Sequence, residues 1–152
     1  MAFDALTAIL PNNVFLPGST EFEESARSYF TAFENEINPG CIVRPSSAED
    51  VAALVKEFVS SDRKFAVRGG GHTPWAGAAN LEGGVTVDMR GLSGVTLSED
   101  EKSVFIGAGE RWRNVYQTLD KKKLATVGGR VSKVGVAGLI LGGRSCLCIA
   151  YS

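Results

Sequence analysis

The stretch that decides the fold is Lys64-Phe-Ala-Val-Arg-Gly-Gly-Gly-His-Thr-Pro-Trp75, which leads from a short apolar strand into three consecutive glycines and the only histidine of the chain. Glycine has no Cβ atom, so this backbone can adopt positive φ angles and approach a ligand closely. Successive N–H groups in such a turn can converge into an anion-binding nest. The stretch therefore predicts a loop that wraps a phosphate-bearing molecule and presents the imidazole of His72 to it.

The composition of the chain indicates the class of protein. Its 152 residues suffice for one domain with a core, and 44% hydrophobic and 22% charged residues are close to a globular average. The net charge is −1 without a long basic run, so we expect no nucleic-acid partner. The sequence has no apolar stretch long enough to span a bilayer and no positive N-terminal region typical of a signal peptide. We therefore expect a cytoplasmic protein without a membrane partner.

The three cysteines, Cys41, Cys146 and Cys148, do not suggest a disulfide framework, because their number is odd and their spacing irregular. The last two could be combined with His72 as metal ligands. Structural zinc needs four good ligands and the chain has a single histidine, so we expect no metal site.

Apolar periodicity and turn residues predict a series of short elements. We expect helices over residues 4–10, 19–33, 48–60 and 111–121, and strands over residues 14–16, 41–44, 65–67, 85–89, 95–97 and 104–106. The strand over residues 85–89 has the alternation of two unlike faces. The order strand, helix, strand over residues 41–67 favours parallel pairing with a right-handed crossover.

The helix over residues 48–60 has the clearest signals. Ser47 and Asp50 have the spacing of a capping box. Apolar residues at helical spacing then predict a single buried stripe, made of Val51, Leu54, Val55, Phe58 and Val59. The helix over residues 111–121 has a similar core face, made of Trp112, Val115, Tyr116 and Leu119.

A second glycine-rich run covers residues 127–143. We call residues 69–73 the first glycine segment and residues 127–143 the second. Neither is a Walker A motif, because no Gly-Lys-Ser/Thr follows the glycines. A G-x-G-x-x-G fingerprint begins at Gly69 and again at Gly107, but Pro74 and Trp112 occupy the place of the last glycine. A nicotinamide dinucleotide fold is therefore not expected.

Four parts of the chain together resemble a known family. They are the strand with Arg68-Gly-Gly-Gly-His-Thr73, the helix entry Arg44-Pro-Ser-Ser-Ala-Glu-Asp-Val51, the segments at residues 84–89 and 107–112, and the run Val134-Gly-Val-Ala-Gly-Leu-Ile-Leu-Gly-Gly143. In this order they resemble the p-cresol methylhydroxylase-type FAD-binding domain of the berberine bridge enzyme family, and its fungal members most closely. The resemblance implies FAD as cofactor. It also implies an α+β fold, the first subdomain of that domain, with a small parallel or mixed sheet and flanking helices.

The resemblance also implies roles for individual residues. Gly69, Gly70, Gly71 and Thr73 would offer donors to the FAD diphosphate, and His72 would be bonded covalently to the flavin 8α-methyl carbon. Arg68 either touches the cofactor or pairs with a carboxylate such as Asp88. The opposite side of the cofactor would be lined by Gly128, Gly129, Val134, Gly135, Val136 and Gly138.

The chain departs from the family at two places. Some members attach the flavin through a second, cysteinyl bond, and that position falls at or near Val131, so at most a histidyl bond is expected. After Gly143, where the family continues with more flavin-binding and substrate-binding sequence, the chain reads Arg144-Ser-Cys-Leu-Cys-Ile-Ala-Tyr-Ser152. We therefore predict an N-terminal part of an FAD-binding domain at residues 1–143, apparently truncated, and an atypical tail at residues 144–152.

Two functions stay open at this point. The first is an FAD-linked oxidoreductase, present as an N-terminal piece, in which a small molecule or secondary metabolite loses a hydride to flavin N5 and O₂ reoxidises the flavin. The second is a catalytically inactive flavin-binding or interaction module. A small-molecule substrate is expected only where the missing half is supplied. Trp75 and Trp112 are expected to pack within the protein rather than to stack on flavin.

Overall fold

The computed structural model describes residues 3–143. Its helices are α1 (Asp4–Ile9), α2 (Thr20–Ala26), α3 (Ala32–Asn35), α4 (Ala48–Ser60), α5 (Trp112–Asp120) and α6 (Val136–Leu141). Its strands are β1 (Val14–Phe15), β2 (Cys41–Val43), β3 (Phe65–Arg68), β4 (Val85–Asp88), β5 (Val95–Leu97) and β6 (Val104–Ile106), and a 3₁₀ turn at Met89–Gly91 follows β4. The predicted tail at residues 144–152, with Cys146 and Cys148, lies outside the described residues.

A four-stranded mixed sheet in the order β1-β2-β4-β3 forms the centre of the molecule. Strands β2 and β3 both run parallel to β4, whereas β1 is antiparallel to β2. This sheet with its flanking helices confirms the expected α+β fold. The strands before and after α4 are parallel as predicted, but they are not neighbours, because β4 lies between them.

The central strands are covered on both faces. Every residue of β2 and β4 is buried, and β4 has the predicted alternation of two unlike faces. Val85 and Val87 face the apolar core. On the other face, Thr86 donates to the side-chain oxygen of Asn80 at 2.7 Å, and Asp88 enters a buried polar network. A strand inside a parallel sheet is covered on both sides, and here one side is apolar and the other polar.

The apolar core lies between α1, α4 and the sheet. Its buried members are Leu6, Leu10, Cys41, Val43, Leu54, Phe58, Val85 and Val87. The predicted capping box of Ser47 and Asp50 starts α4. The predicted stripe of this helix was wrong in part, because Val55 and Val59 are 44% and 77% exposed. Only a narrow face of α4, centred on Leu54 and Phe58, reaches the core.

The single helix predicted over residues 19–33 was wrong, since the chain forms α2 and α3 with a break between them. Ser19 caps α2 as expected, its hydroxyl accepting from the Phe22 N–H. The helix ends early because the Arg68 guanidinium donates to the carbonyl oxygens of Ser25 and Ser28 at 2.6 and 3.0 Å. The break lays residues 27–31 beside the first glycine segment.

A second apolar cluster lies at the C-terminal end of the described chain. The strands β5 and β6 form the expected antiparallel pair, and α5 covers nearly the predicted range. Trp112, Val115 and Leu119 of α5 are buried together with Val136 of α6, which confirms the predicted core face of α5. This cluster positions the second glycine segment, whose Gly135 lies against Gly70 of the first glycine segment.

Candidate cofactor-binding site

The first glycine segment leaves the carboxyl end of β3 as an irregular turn. Gly71 has a φ of +68°, which favours glycine. Within residues 3–143, the N–H groups of Gly70, Gly71 and His72 donate to no protein acceptor. Three consecutive free donors in a turn have the arrangement of a nest that binds an anion.

The two glycine segments lie back to back. A Cβ atom on Gly70 would overlap the backbone of Gly135, and one on Gly135 would overlap Gly70. Arg111 joins them, because its Nη2 donates to the Gly70 carbonyl oxygen at 2.7 Å while its backbone pairs with Gly135. Gly69 differs from Gly70, since no atom lies within 4 Å of its Cβ position. The close contact of the segments therefore depends on Gly70 and Gly135.

A buried network below the turn is centred on Arg68, which has no exposed surface. Besides the two carbonyl oxygens that end α2, its guanidinium donates to the Ser25 and Ser28 hydroxyls at 3.1 and 2.8 Å. It also lies 3.9 Å from the centre of the Tyr29 ring. The Arg68 side chain thus supports the turn from below, and a contact of this residue with a cofactor stays a prediction.

Asp88, equally buried, is the acidic member of the network. Its carboxylate accepts from Arg90 Nε at 2.8 Å and Nη2 at 2.6 Å, and from Arg44 at 3.4 Å. Arg68 does not bond to it directly. The Ser25 hydroxyl links the two, because it accepts from Arg68 and donates to Asp88 at 2.9 Å.

The charges of this network favour an anion above it. Burial alone would raise the pKa of Asp88, but the hydrogen bond and charge of Arg90 and the charge of Arg68 lower it to about 2. Burial and the like charge of Arg90 lower the pKa of Arg68 to about 10, so both groups are ionised at neutral pH. Three guanidinium groups, including that of Arg44, therefore surround one carboxylate, and positive charge is in excess beneath the turn.

His72 lies at the rim of the turn with a half-buried side chain. Its imidazole stacks on the Phe30 ring, with the ring centres 4.0 Å apart and the planes inclined by 12°. The Phe30 ring is itself 62% exposed. The imidazole is therefore covered on one face and is not sealed inside the protein.

The residues predicted in the second glycine segment lie in two different settings. Val134 and Gly135 reach the first glycine segment, whereas Gly128 and Gly129 are buried against the Trp112 ring. Val136 belongs to the apolar cluster around α5, and Gly138 is exposed on α6. The contacts of all these residues with FAD stay predictions.

Both tryptophans were expected to pack within the protein. Trp112 is 2% exposed, which confirms the expectation for that residue. Trp75 is 75% exposed, so the expectation for it was wrong.

Sequence reasoning missed the residues that hold the turn in place. Ser25, Ser28, Phe30 and Arg111 lie far from the first glycine segment along the chain, and no local motif marks them. The one available signal was the Ser-Tyr-Phe-Thr run at residues 28–31, which is a weak helix former within a predicted helix.

The described part of the chain has neither a metal cluster nor a membrane-spanning helix. Across residues 3–143, no group of three or more His, Cys, Asp or Glu side chains could hold a metal ion. None of the helices there has the length and apolar character that crossing a bilayer requires.

Comparison with known proteins gives a consistent result. Residues 39–151 match the family model of the FAD binding domain. An FAD-dependent monooxygenase of Emericella nidulans is 40% identical over 143 residues, which are 93% of this chain and 30% of the relative. One of Cochliobolus heterostrophus is 46% identical over 120 residues, 78% of this chain and 23% of the relative. The chain thus spans less than a third of these curated relatives.

Solved structures show the same fold. The 6-hydroxy-D-nicotine oxidase of Arthrobacter nicotinovorans is 29% identical and superposes with a TM-score of 0.72, covering 84% of this chain and 28% of the oxidase. A glucooligosaccharide oxidase of Acremonium strictum, described with a 6-S-cysteinyl, 8α-N1-histidyl FAD, superposes with a TM-score of 0.79 at 23% identity. The superposition covers 93% of this chain and 30% of the oxidase, and at 23% identity it shows the fold alone.

Proposed function

This chain belongs to the FAD binding domain family, and from that premise we propose that it forms one wall of the flavin site of an oxidoreductase. In this proposal residues 69–73 hold the FAD diphosphate and His72 carries a covalent bond to the flavin. The whole activity, oxidation of a small molecule or secondary metabolite, belongs to a longer relative of which this chain represents the flavin-holding part.

One observation supports the proposal most strongly: the free N–H groups of Gly70, Gly71 and His72 lie above an excess of positive charge. The turn suits a diphosphate, because its backbone carries no Cβ atom until His72 and, within residues 3–143, it offers three consecutive N–H groups without a protein acceptor. Arg111 donates to the Gly70 carbonyl oxygen, whereas Arg68 donates to oxygens of Ser25 and Ser28 beneath the turn. In the proposal, the N–H side of the turn receives the ligand.

The role of His72 follows from its place at the end of the same turn. A neutral imidazole is a nucleophile, and the His72 ring is half-buried with one face covered by Phe30, so it is not sealed inside the protein. When bound, FAD supplies hydride acceptance at N5 and reoxidation by O₂. This chain would contribute binding and orientation, and the base and substrate wall would come from sequence that matches the rest of the relatives.

A second candidate is a flavin-binding or interaction module without activity of its own. The chain matches 30% and 23% of the length of the two monooxygenases, so the activity of a whole relative stays a proposal for this chain. We expect no hydrogen peroxide from the chain alone with any alcohol substrate. The cytoplasmic location, the absence of nucleic-acid and membrane partners, and the domain boundary at residue 143 stay predictions.

The proposal is tested by expressing the chain with FAD, denaturing it and examining the gel for flavin fluorescence. We expect fluorescence on the wild-type band and none on His72→Ala, because the chain has one histidine. The control Ser60→Ala, at the exposed end of α4, should keep the signal. A colourless wild-type protein, or a His72→Ala band as bright as wild type, would show that the proposed attachment is wrong.

A further inference from the structure

Phe30 is an exposed aromatic residue with a specific contact. Its ring is 62% exposed, yet one face lies 4.0 Å from the imidazole of His72 and nearly parallel to it. An exposed phenylalanine contributes little to a core, so its energetic role has to be sought in this stack.

Hydrogen bonds of residues 29–31 hold the Phe30 backbone beside the turn. The Phe30 N–H donates to the Gly71 carbonyl oxygen at 2.8 Å, and the Thr31 hydroxyl donates to the Thr73 carbonyl oxygen at 3.4 Å. Tyr29 anchors the other side, because its buried hydroxyl donates to the Ala79 carbonyl oxygen at 2.8 Å. The Phe30 backbone therefore cannot move away from the turn without breaking contacts on both sides, and from this position its ring stacks on the imidazole.

Within residues 3–143, the His72 imidazole has no hydrogen bond or ion pair, so the stack on Phe30 is the interaction that limits its rotation. Fixing a side chain in one rotamer costs entropy, and a reaction gains when that cost is met before the reactants come together. The Phe30 stack sets the plane of the imidazole in the absence of ligand and covers one of its faces.

We propose that Phe30 is a positioning residue that holds the His72 imidazole for bond formation with the flavin 8α-methyl carbon. This inference rests on the proposed function. In the step, an imidazole nitrogen forms the C–N bond while its N–H and one methyl C–H bond are broken. Two protons leave, and two electrons pass to the flavin ring and from there to dioxygen.

The test compares three variants. Phe30→Leu removes the stack, and Phe30→Tyr keeps it. Phe33→Leu is the matched control, because Phe33 is 64% exposed on the neighbouring helix α3 and has no ring contact with His72 within the described residues.

The first measurement uses proton NMR of the protein without FAD. The chain has one histidine, so its imidazole signals are unambiguous. Stacking on Phe30 should shift them upfield in wild type, Phe30→Tyr and Phe33→Leu, and the shift should disappear in Phe30→Leu. An imidazole signal that does not move in Phe30→Leu contradicts the inference.

The second measurement follows covalent FAD incorporation over time by fluorescence of the denatured band. Phe30→Leu should slow attachment at least about tenfold, with non-covalent FAD affinity changed less than about twofold, while Phe30→Tyr and Phe33→Leu follow wild type. Normal attachment in Phe30→Leu overturns this inference alone. A wild-type chain that never gains covalent flavin overturns the proposed function, and this inference with it.

Discussion

The two glycine segments look alike in sequence but are held in place by different forces. In the first, Gly70 meets the backbone of Gly135, and the turn rests on the buried charges of Arg68 and Asp88. In the second, Gly128 and Gly129 leave room for the Trp112 ring within an apolar cluster.

This difference separates two uses of glycine. Backbone lying against backbone cannot adjust without moving a whole segment, whereas a side chain next to a glycine can shift within its cluster. The rigid arrangement occurs at the segment whose free donors, in the proposed function, bind the ligand. The adaptable arrangement occurs at the second segment, where the glycines only make room for a packed side chain. Substitutions in the two segments should therefore differ in cost.

The largest effect is expected for Asp88→Asn, which attacks the charged support of the first segment. The variant keeps the shape of the side chain but removes the carboxylate that Arg90 and Arg44 bind. Removing this buried charge leaves the partly buried guanidinium groups without their counter-charge and should lower the free energy of unfolding by about 3–5 kcal/mol in urea titrations. The control Asp62→Asn, an exposed residue with a φ of 49° that asparagine tolerates, should change it by less than about 0.5 kcal/mol.

Acid unfolding checks the same interaction by another route. The pKa of Asp88 is about 2 in the folded protein and about 4 in an unfolded chain, so its contribution is complete above pH 4 and is lost as the pH falls toward 2. This loss is about 2–3 kcal/mol in wild type. Asp88→Asn should lose less over the same interval, and equal acid sensitivity of the two proteins contradicts the assignment.

The next largest effect is expected for Gly70→Ala. The added methyl group would overlap the backbone of Gly135, so the two segments have to separate. We expect a loss of about 2–3 kcal/mol in the free energy of unfolding, together with weaker FAD binding. Gly69→Ala is the matched control, because its Cβ position is open, and it should leave stability within about 0.5 kcal/mol of wild type. Equal losses at both positions would contradict the back-to-back contact.

Much of the fold could be predicted because its signals are local. The capping box at Ser47, the core face of α5 and the pairing of β5 with β6 depend on nearby residues, and all were confirmed. The single helix over residues 19–33 failed because Arg68, distant in sequence, binds the carbonyl oxygens that would have continued it. The prediction that the whole apolar stripe of α4 is buried failed for Val55 and Val59. Residue spacing predicts an apolar face, but it does not predict how much of that face is covered by other elements.

The candidate site divides in the same way. The triple glycine and His72 were visible in the sequence because conformational freedom and chemistry belong to the residues themselves. Phe30 and Arg111 were not visible, since their contacts with the turn exist only after the chain has folded. The sequence also could not tell Gly135, which contacts the first segment, from Gly128, which packs on Trp112.

The smallest loss in the free energy of unfolding is expected at Gly128, whose neighbours are side chains rather than backbone. A methyl group on Gly128 would meet the Trp112 ring and the Tyr116 hydroxyl, both side-chain groups that can shift. Gly128→Ala should therefore cost only about 1–2 kcal/mol and should alter the near-UV signal of buried Trp112. Gly138→Ala, with open space on helix α6, should instead stabilise the protein by about 0.5–1 kcal/mol through helix propensity. If Gly128→Ala costs as much as Gly70→Ala, the second segment is as rigid as the first, because a yielding side chain cannot impose the penalty of a backbone overlap.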